Sequence, residues 1–319
     1  MSATPTAMEQ AEPRLQPLVR ARVGSMGVRG REWQAGLPRV LAELADAWSL
    51  RLGRPVAGGS ASYLTSVVRA DGTAAVLKVS VVPEQLREEA ALLAAADGQG
   101  YVRLLEADPG RGAVLLERLG PSLDAGRSPV DHQLDVLADT LAVAWRPPDR
   151  PPLGKARQLD GLVRAHWSQL GDPCHPAVVE QALAYAAELA ATAPGDLALV
   201  HGDAHPGNLL RVPQSRSGAE TGWCFVDPDP FVDDRAYDLG VAVRDFSSAL
   251  LADPDQASAR LWSWCHRVAD RTGIDPGRVW AWGFLERVST GLFVTALGAP
   301  RVGEPFLRSA ELVADQPPR

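Results

Sequence analysis

Cysteine is scarce in this chain. Only Cys174, Cys224 and Cys265 occur in 319 residues, and no two of them form a CxxC pair. An odd, scattered set of three excludes a disulfide framework and a zinc knuckle, and it fits a reducing cytosol. No stretch approaches the roughly 20 consecutive apolar residues of a membrane-spanning helix. The opening MSATPTAMEQAEPR has no apolar core, so no signal peptide is read there. Basic runs are also lacking: 32 Lys and Arg stand against 39 Asp and Glu, a net charge of −7. That balance disfavours nucleic acid and membrane as partners and suits a cationic small molecule. No internal repeat of fixed period is found. What remains is a globular composition, 46% hydrophobic and 22% charged. A chain of this length can bury roughly 75% of its unfolded surface and needs no structural metal. A cytoplasmic, monomeric protein is the expectation.

The pattern along the chain divides it in three. Residues 1–15 are polar, contain proline and lack periodicity, so a disordered tail is expected. Residues 16–119 open with a helix, in which Trp33, Leu37, Val40, Leu41, Leu44 and Trp48 form one apolar stripe; Gly53 and Pro55 are expected to end it. Five strands are then read in VAGGSASYL, SVVRA, AAVLKVS, YVRLLEA and AVLLERL, with turns at Asp71-Gly72 and at Pro109 to Gly112. Between the third and fourth lies a helix over PEQLREEAALLAAADG, with Pro83 in its first turn and Gly98 as its stop. Three strands, one helix and two strands is the order of a kinase-type ATP-binding lobe. Residues 120–319 read as mostly helical, interrupted over 199–240 by short strands around a polar hairpin tip, QSRSGAETG. Trp262, Trp264, Trp280 and Trp282 fall at helical spacing in the last helices and are expected in the core. The tail DQPPR is expected to fray.

The chemistry concentrates in HGDAHPGNLL, which begins at His201. Asp203 is followed five positions later by Asn208, and Asp227 closes the apolar run WCFVD. Phosphoryl transfer from Mg·ATP needs this set: a carboxylate facing the acceptor hydroxyl, then an amide oxygen and a second carboxylate for the metal. Mg²⁺ keeps several waters, so one amide, one carboxylate and the phosphates suffice. Taken singly, the three are a turn carboxylate, an Asx turn and a strand-end cap. His201 is expected to brace the loop, and Asp238 to cap a helix or brace the same loop. A rival reading takes His201, Asp203 and His205 as an HxDxH metal cluster of a hydrolase. It lacks further ligands, because only His132, His166, His175 and His266 remain and none sits in a metal motif.

Upstream, Lys78 sits mid-strand in the otherwise apolar AAVLKVS, where a charge is costly unless it meets anions. ATP phosphates and a helix glutamate would satisfy it, with Glu89 the candidate and Glu88 its neighbour. Gly58, Gly59 and Ser60 can bring backbone N–H groups to phosphate. Glu117 and Leu119, in LLERLGPSL, are candidate hinge positions for adenine.

HGDAHPGNLL, VDPDPFVDDRAYDLG and WGFLERVSTGLF resemble the aminoglycoside phosphotransferases, and within them the streptomycin 6-kinase group with its hydroxyurea-resistance relatives. The likeness runs from about Pro17 to about Leu312. It implies an α+β, bilobal protein-kinase-like fold, with a small five-stranded antiparallel N-lobe carrying one helix and a larger, mostly helical C-lobe. It implies Asp203 as catalytic aspartate, Asn208 and Asp227 as metal ligands, Lys78 as phosphate lysine and Glu89 as its partner. The implied cofactors are ATP and Mg²⁺, and the implied acceptor is the 6-hydroxyl of streptomycin, with hydroxyurea or another metabolite as the alternative. Streptidine carries two guanidinium groups, which makes Asp229, Asp233, Asp234 and Glu286 candidate partners. Gly202 stands where protein kinases have an arginine before the aspartate, and no activation-loop segment follows Asp227.

Overall fold

A computed structural model describes residues 13–59 and 61–314. Ser60, the tail DQPPR and most of the expected disordered segment lie outside the described residues. The end of that segment departs from expectation: Leu15 is buried in an apolar core. The chain forms two compact units, one holding residues up to Asp97 together with Val102–Arg118, the other Gly98–Tyr101 and everything from Leu119.

The first unit begins with helices α1 (Pro17–Ser25) and α2 (Val28–Ala47). Leu37, Leu41 and Leu44 of α2 are buried, so the apolar stripe faces inward, with Trp33, Val40 and Trp48 packed at its margin. Five strands follow: β1 (Arg51–Pro55), β2 (Ser62–Val68), β3 (Ala74–Ser80), β4 (Leu104–Asp108) and β5 (Ala113–Glu117). They form one antiparallel sheet in the order β1-β2-β3-β5-β4, with α3 (Pro83–Ala96) between β3 and β4 in sequence.

The count of five strands holds, but the first two are placed differently. Gly53 and Pro55 do not stop the helix; they belong to β1, and the residues read as two strands over 56–70 contain one, β2. The cause is that β1 is an edge strand with all five residues exposed, so it carries no alternation to read. Gly53 is required there, since a Cβ would lie 2.5 Å from Ser66 Oγ on β2.

The pleat of β3 settles the fate of Lys78. Ala75, Leu77 and Val79 join the core shared with α1 and α2. The alternate positions, Val76 and Lys78, therefore face the other side of the sheet, where α3 packs.

The second unit is mostly helical. Helices α4 (Val130–Ala144), α5 (Lys155–Leu170) and α6 (Pro176–Leu189) precede the short strands β6 (Leu197–Val200), β7 (Leu209–Arg211), β8 (Trp223–Phe225) and β9 (Phe231–Asp234). Five helices close it: α7 (Ala236–Arg244), α8 (Ser247–Leu251), α9 (Ala257–Thr272), α10 (Pro276–Ala296) and α11 (Pro300–Leu312). Helix α10 is the axis, packed against α5, α6, α7, α9 and α11. Trp264, Trp280 and Trp282 are buried, while Trp262 is partly exposed and meets Trp280 edge to face at 5.9 Å. Among the described residues no helix is long and apolar enough to cross a membrane.

Candidate active site

Two hairpins set the geometry of the second unit. β6 pairs with β9, and β7 with β8, both antiparallel. Between β6 and β7 runs the loop from His201 to Asn208; between β8 and β9 runs the loop from Val226 to Pro230. The two are laced together. His201 Nε2 lies 3.1 Å from the Val226 carbonyl, and the Asp229 N–H donates to the His201 carbonyl at 2.9 Å. Gly202 presses against the second loop so closely that a Cβ would lie 2.0 Å from the Asp229 carbonyl oxygen. With φ at +86°, no other residue fits comfortably. The Val226 N–H donates to the Asn208 carbonyl at 2.9 Å, which brings Asn208 and Asp227 to the same end of the β7–β8 hairpin. Asp227 is exposed, and its φ of +56° is a strained choice for a residue with a side chain.

Asp203 stands at the tip of the first loop, half-buried. Its Oδ2 is engaged: Asn208 Nδ2 donates to it at 3.3 Å, and His205 Nε2 lies 3.5 Å away. Asn208 Nδ2 also donates to the Asp203 carbonyl at 3.0 Å, so the amide's oxygen is the end left for a ligand. On Oδ1 no hydrogen bond falls among the described residues; the nearest charge is Arg244 Nη2 at 3.8 Å. Burial works to raise Asp203, but His205 and Arg244 outweigh it and hold the carboxyl down to about 2. Burial likewise works to lower His205, and Asp203 overrides it and raises the imidazole. Asn208 and Asp227 present hard oxygen donors, the type Mg²⁺ prefers.

His201 and Asp238 form the scaffold. The His201 ring is fully buried, stacked on Tyr101 at 5.9 Å and tilted against Phe225 at 4.7 Å. Its Nδ1 accepts the Asp203 N–H, and its Nε2 faces the Val226 carbonyl as a donor. Both ring nitrogens are thus engaged, which leaves none for a metal and removes the basis of the HxDxH reading. Burial pushes this imidazole down to about 4. Asp238, in the first turn of α7, accepts the N–H groups of His201 and Gly202 and the indole N–H of Trp145. Burial still pushes it up to about 6 against those three donors.

Three of the four acids read as partners of a guanidinium already have internal partners. Asp233 is buried on β9, where it accepts the Lys155 N–H at the start of α5. Asp234 takes Arg278 and the Trp282 indole. Glu286 is buried and holds Arg244 at 3.0 Å and the Tyr237 hydroxyl at 2.9 Å. The sequence showed the charge of Asp234 and Glu286 but not the arginines, 44 and 42 positions away, that pair with them. Asp229 alone of the four is exposed. Arg244 and the environment of His205 went unread. The signal available was the one used for Lys78: a charge set at the end of an apolar run, here LGVAVR.

In the first unit, Lys78 Nζ lies 2.6 Å from both Glu89 carboxylate oxygens, and both side chains are buried. Glu88 is exposed, which decides between the two glutamates. Gly58 and Gly59 follow β1 with φ of +105° and +74°. Gln16 holds the flanks of their loop by donating to the Val56 and Leu64 carbonyls. The Glu117 carboxylate accepts the Arg103 N–H at 2.8 Å. Leu119, in the second unit, is buried.

The family model described as aminoglycoside/hydroxyurea antibiotic resistance kinase matches residues 47–298. The chain belongs to that family. A hydroxyurea phosphotransferase of Kitasatospora aureofaciens is 37% identical over 234 residues, 70% of this chain. The match spans 65% of that relative's own length, just under two thirds. A streptomycin 6-kinase of Streptomyces glaucescens is 32% identical over 246 residues, 75% of this chain and 77% of the relative. Among solved structures, an amicoumacin kinase in complex with AMP-PNP, Ca²⁺ and Ami superposes with a TM-score of 0.55 at 12% identity, covering 87% of this chain and 92% of that one. The fold is accordingly protein-kinase-like, α+β, with a five-stranded antiparallel sheet and a mostly helical remainder.

Proposed function

We propose that the protein is an ATP-dependent O-phosphotransferase acting on a small cationic antibiotic, with the 6-hydroxyl of streptomycin as its acceptor. The observation that carries this reading is the convergence of Asp203, Asn208 and Asp227 at one end of a hairpin, with Asp203 Oδ1 open. That oxygen orients the acceptor hydroxyl and takes its proton as the acceptor oxygen bonds to the γ-phosphorus and the bond to the ADP oxygen breaks. A carboxyl held at about 2 is a weak base, so its work is orientation first and proton acceptance late. Asn208 Oδ1 and the Asp227 carboxylate hold Mg²⁺, which when bound offsets the phosphate charge.

Lys78, fixed by Glu89, binds phosphate oxygens. The N–H groups at Gly58 and Gly59 approach phosphate as well, and the backbone at Glu117 and Leu119 takes adenine. Asp229 is the exposed acid that suits a guanidinium. Adding a phosphate to a cationic drug would spoil its fit to ribosomal RNA. A need for ATP supports a cytoplasmic setting for the enzyme.

Hydroxyurea is the second reading, favoured by the 37% identity to a hydroxyurea phosphotransferase. A coupled ADP-release assay with Mg·ATP and each compound, with mass analysis of the product, tests both. One added phosphoryl group on streptomycin supports the first reading; phosphorylated hydroxyurea with streptomycin unchanged overturns it in favour of the second. Loss of turnover in Asp203→Asn with nucleotide still bound is expected; turnover that survives this change sinks the assignment of Asp203.

A further inference from the structure

Arg244 ends α7 with its side chain 11% exposed. A guanidinium so placed must be met by anions, and three carboxylates meet it. Nη1 lies 3.0 Å from Glu286 Oε2, Nη2 lies 3.0 Å from Asp245 Oδ1, and Nη2 also points at Asp203 Oδ1 from 3.8 Å. Glu286 is itself fixed: it is buried in α10, and Tyr237 donates to its other oxygen. Thr290 adds a contact to Arg244 at 3.3 Å. The backbone beneath Arg244 is pinned too, because the buried Arg287 donates to the Val243 carbonyl at 3.0 Å.

We infer that Arg244 is a positioning residue for Asp203, with Glu286 and Tyr237 setting its own direction from behind. The inference rests on Asp203 facing the acceptor hydroxyl. Helix α7 then grips the loop twice. Asp238 at its start holds the backbone of His201 and Gly202, and Arg244 at its end orients the carboxylate. The two oxygens of Asp203 divide the work. Oδ2 is held by Asn208 and His205. Oδ1 feels the guanidinium at an ion-pair distance too long for a hydrogen bond, so its lone pairs stay open to the acceptor. A planar, forked cation fixed on two sides does this better than a flexible point charge. Joining α7 to α10 needs only the Glu286 contact; the other branch, which Asp245 holds at 3.0 Å, is thereby aimed at Asp203 as well.

The test compares Arg244→Gln, Arg244→Lys and Asp203→Asn with the wild type, reading ADP release from Mg·ATP with streptomycin and with water alone as acceptor. Arg244→Gln is expected to lower kcat about 100-fold, the scale of a misplaced reacting group. The KM for Mg·ATP should stay within about twofold, since nucleotide binding is untouched. Arg244→Lys should recover about a tenth of wild-type turnover, keeping the charge without the fork. Because a lone buried Glu286 can harm folding, Arg244→Gln with Glu286→Gln removes both charges; it should melt near the wild type and remain slow. Turnover of Arg244→Gln or of the double variant within about threefold of wild type overturns the inference. If Asp203→Asn is inactive in that case, only the role of Arg244 fails. If Asp203→Asn turns over normally, the reading of the site fails and this inference with it.

Discussion

At the scale of single residues, buried polar groups are where function and stability meet, and His201 is the clearest. Its neutral ring bridges two loops, accepting from Asp203 N–H and donating to the Val226 carbonyl. Protonating Nδ1 would set a donor against a donor. The native imidazole is held at about 4 against an ordinary value of 6.5. Between those values the unfolded chain takes up a proton that the folded one does not. Stability from this residue is therefore complete above 6.5 and is lost as the pH falls toward 4. His201→Gln should melt below the wild type near neutral pH, and the gap should close by on the order of 3 kcal/mol as the pH nears about 4. Asp238 titrates in an overlapping window with the opposite sign, but it is present in both proteins and drops out of the difference. A gap that stays constant with pH would show that His201 does not titrate as its burial requires. Lys78 was legible for the same kind of reason: a charge in an apolar strand asks for a partner, and Glu89 supplies it at 2.6 Å. The pairing of Glu286 was not legible, because its partner, Arg244, lies on another helix.

At the scale of elements, α7 matters most, since it carries both Asp238 and Arg244 and lies against α10. The contact is made by glycines on both sides. A Cβ at Gly240 would lie 2.5 Å from Trp282 Cβ and 2.8 Å from the Gly283 nitrogen, while one at Gly283 would lie 2.7 Å from Val243 Cγ2. Backbone cannot yield as a side-chain tip can. Gly240→Ala should cost about 1–3 kcal/mol through overpacking, read as a lower urea midpoint, and kcat should fall with it as the loop's two supports move. Gly161→Ala, on α5 with nothing within 4 Å of the added carbon, should be neutral or stabilise by up to about 1 kcal/mol. If both variants unfold alike, the close packing of α7 on α10 is wrong. Elements were readable wherever periodicity or a turn dipeptide marked them: α3 begins at Pro83, as its pattern indicates, and ends at Ala96, just before Gly98. β1 was not, because an exposed edge strand with a glycine and a proline looks like a helix stop followed by a loop.

At the scale of the whole molecule, the net charge of −7 bears on the choice of acceptor. Streptomycin carries the two guanidinium groups of streptidine, and hydroxyurea is neutral near pH 7. An acidic protein attracts the first over distances of about a Debye length, roughly 10 Å at 0.1 M salt, and is indifferent to the second. The exposed Asp229 adds to that field, whereas Asp234 and Glu286, paired with Arg278 and Arg244, add little. The KM for streptomycin should therefore rise several-fold between about 20 and 200 mM salt while kcat changes little. The KM for hydroxyurea should stay flat over the same range. Mg·ATP is itself screened, so each series is run at saturating nucleotide. A streptomycin KM that ignores salt would mean that this drug is recognised by shape and neutral hydrogen bonds, and that the acidic balance of the chain serves solubility alone.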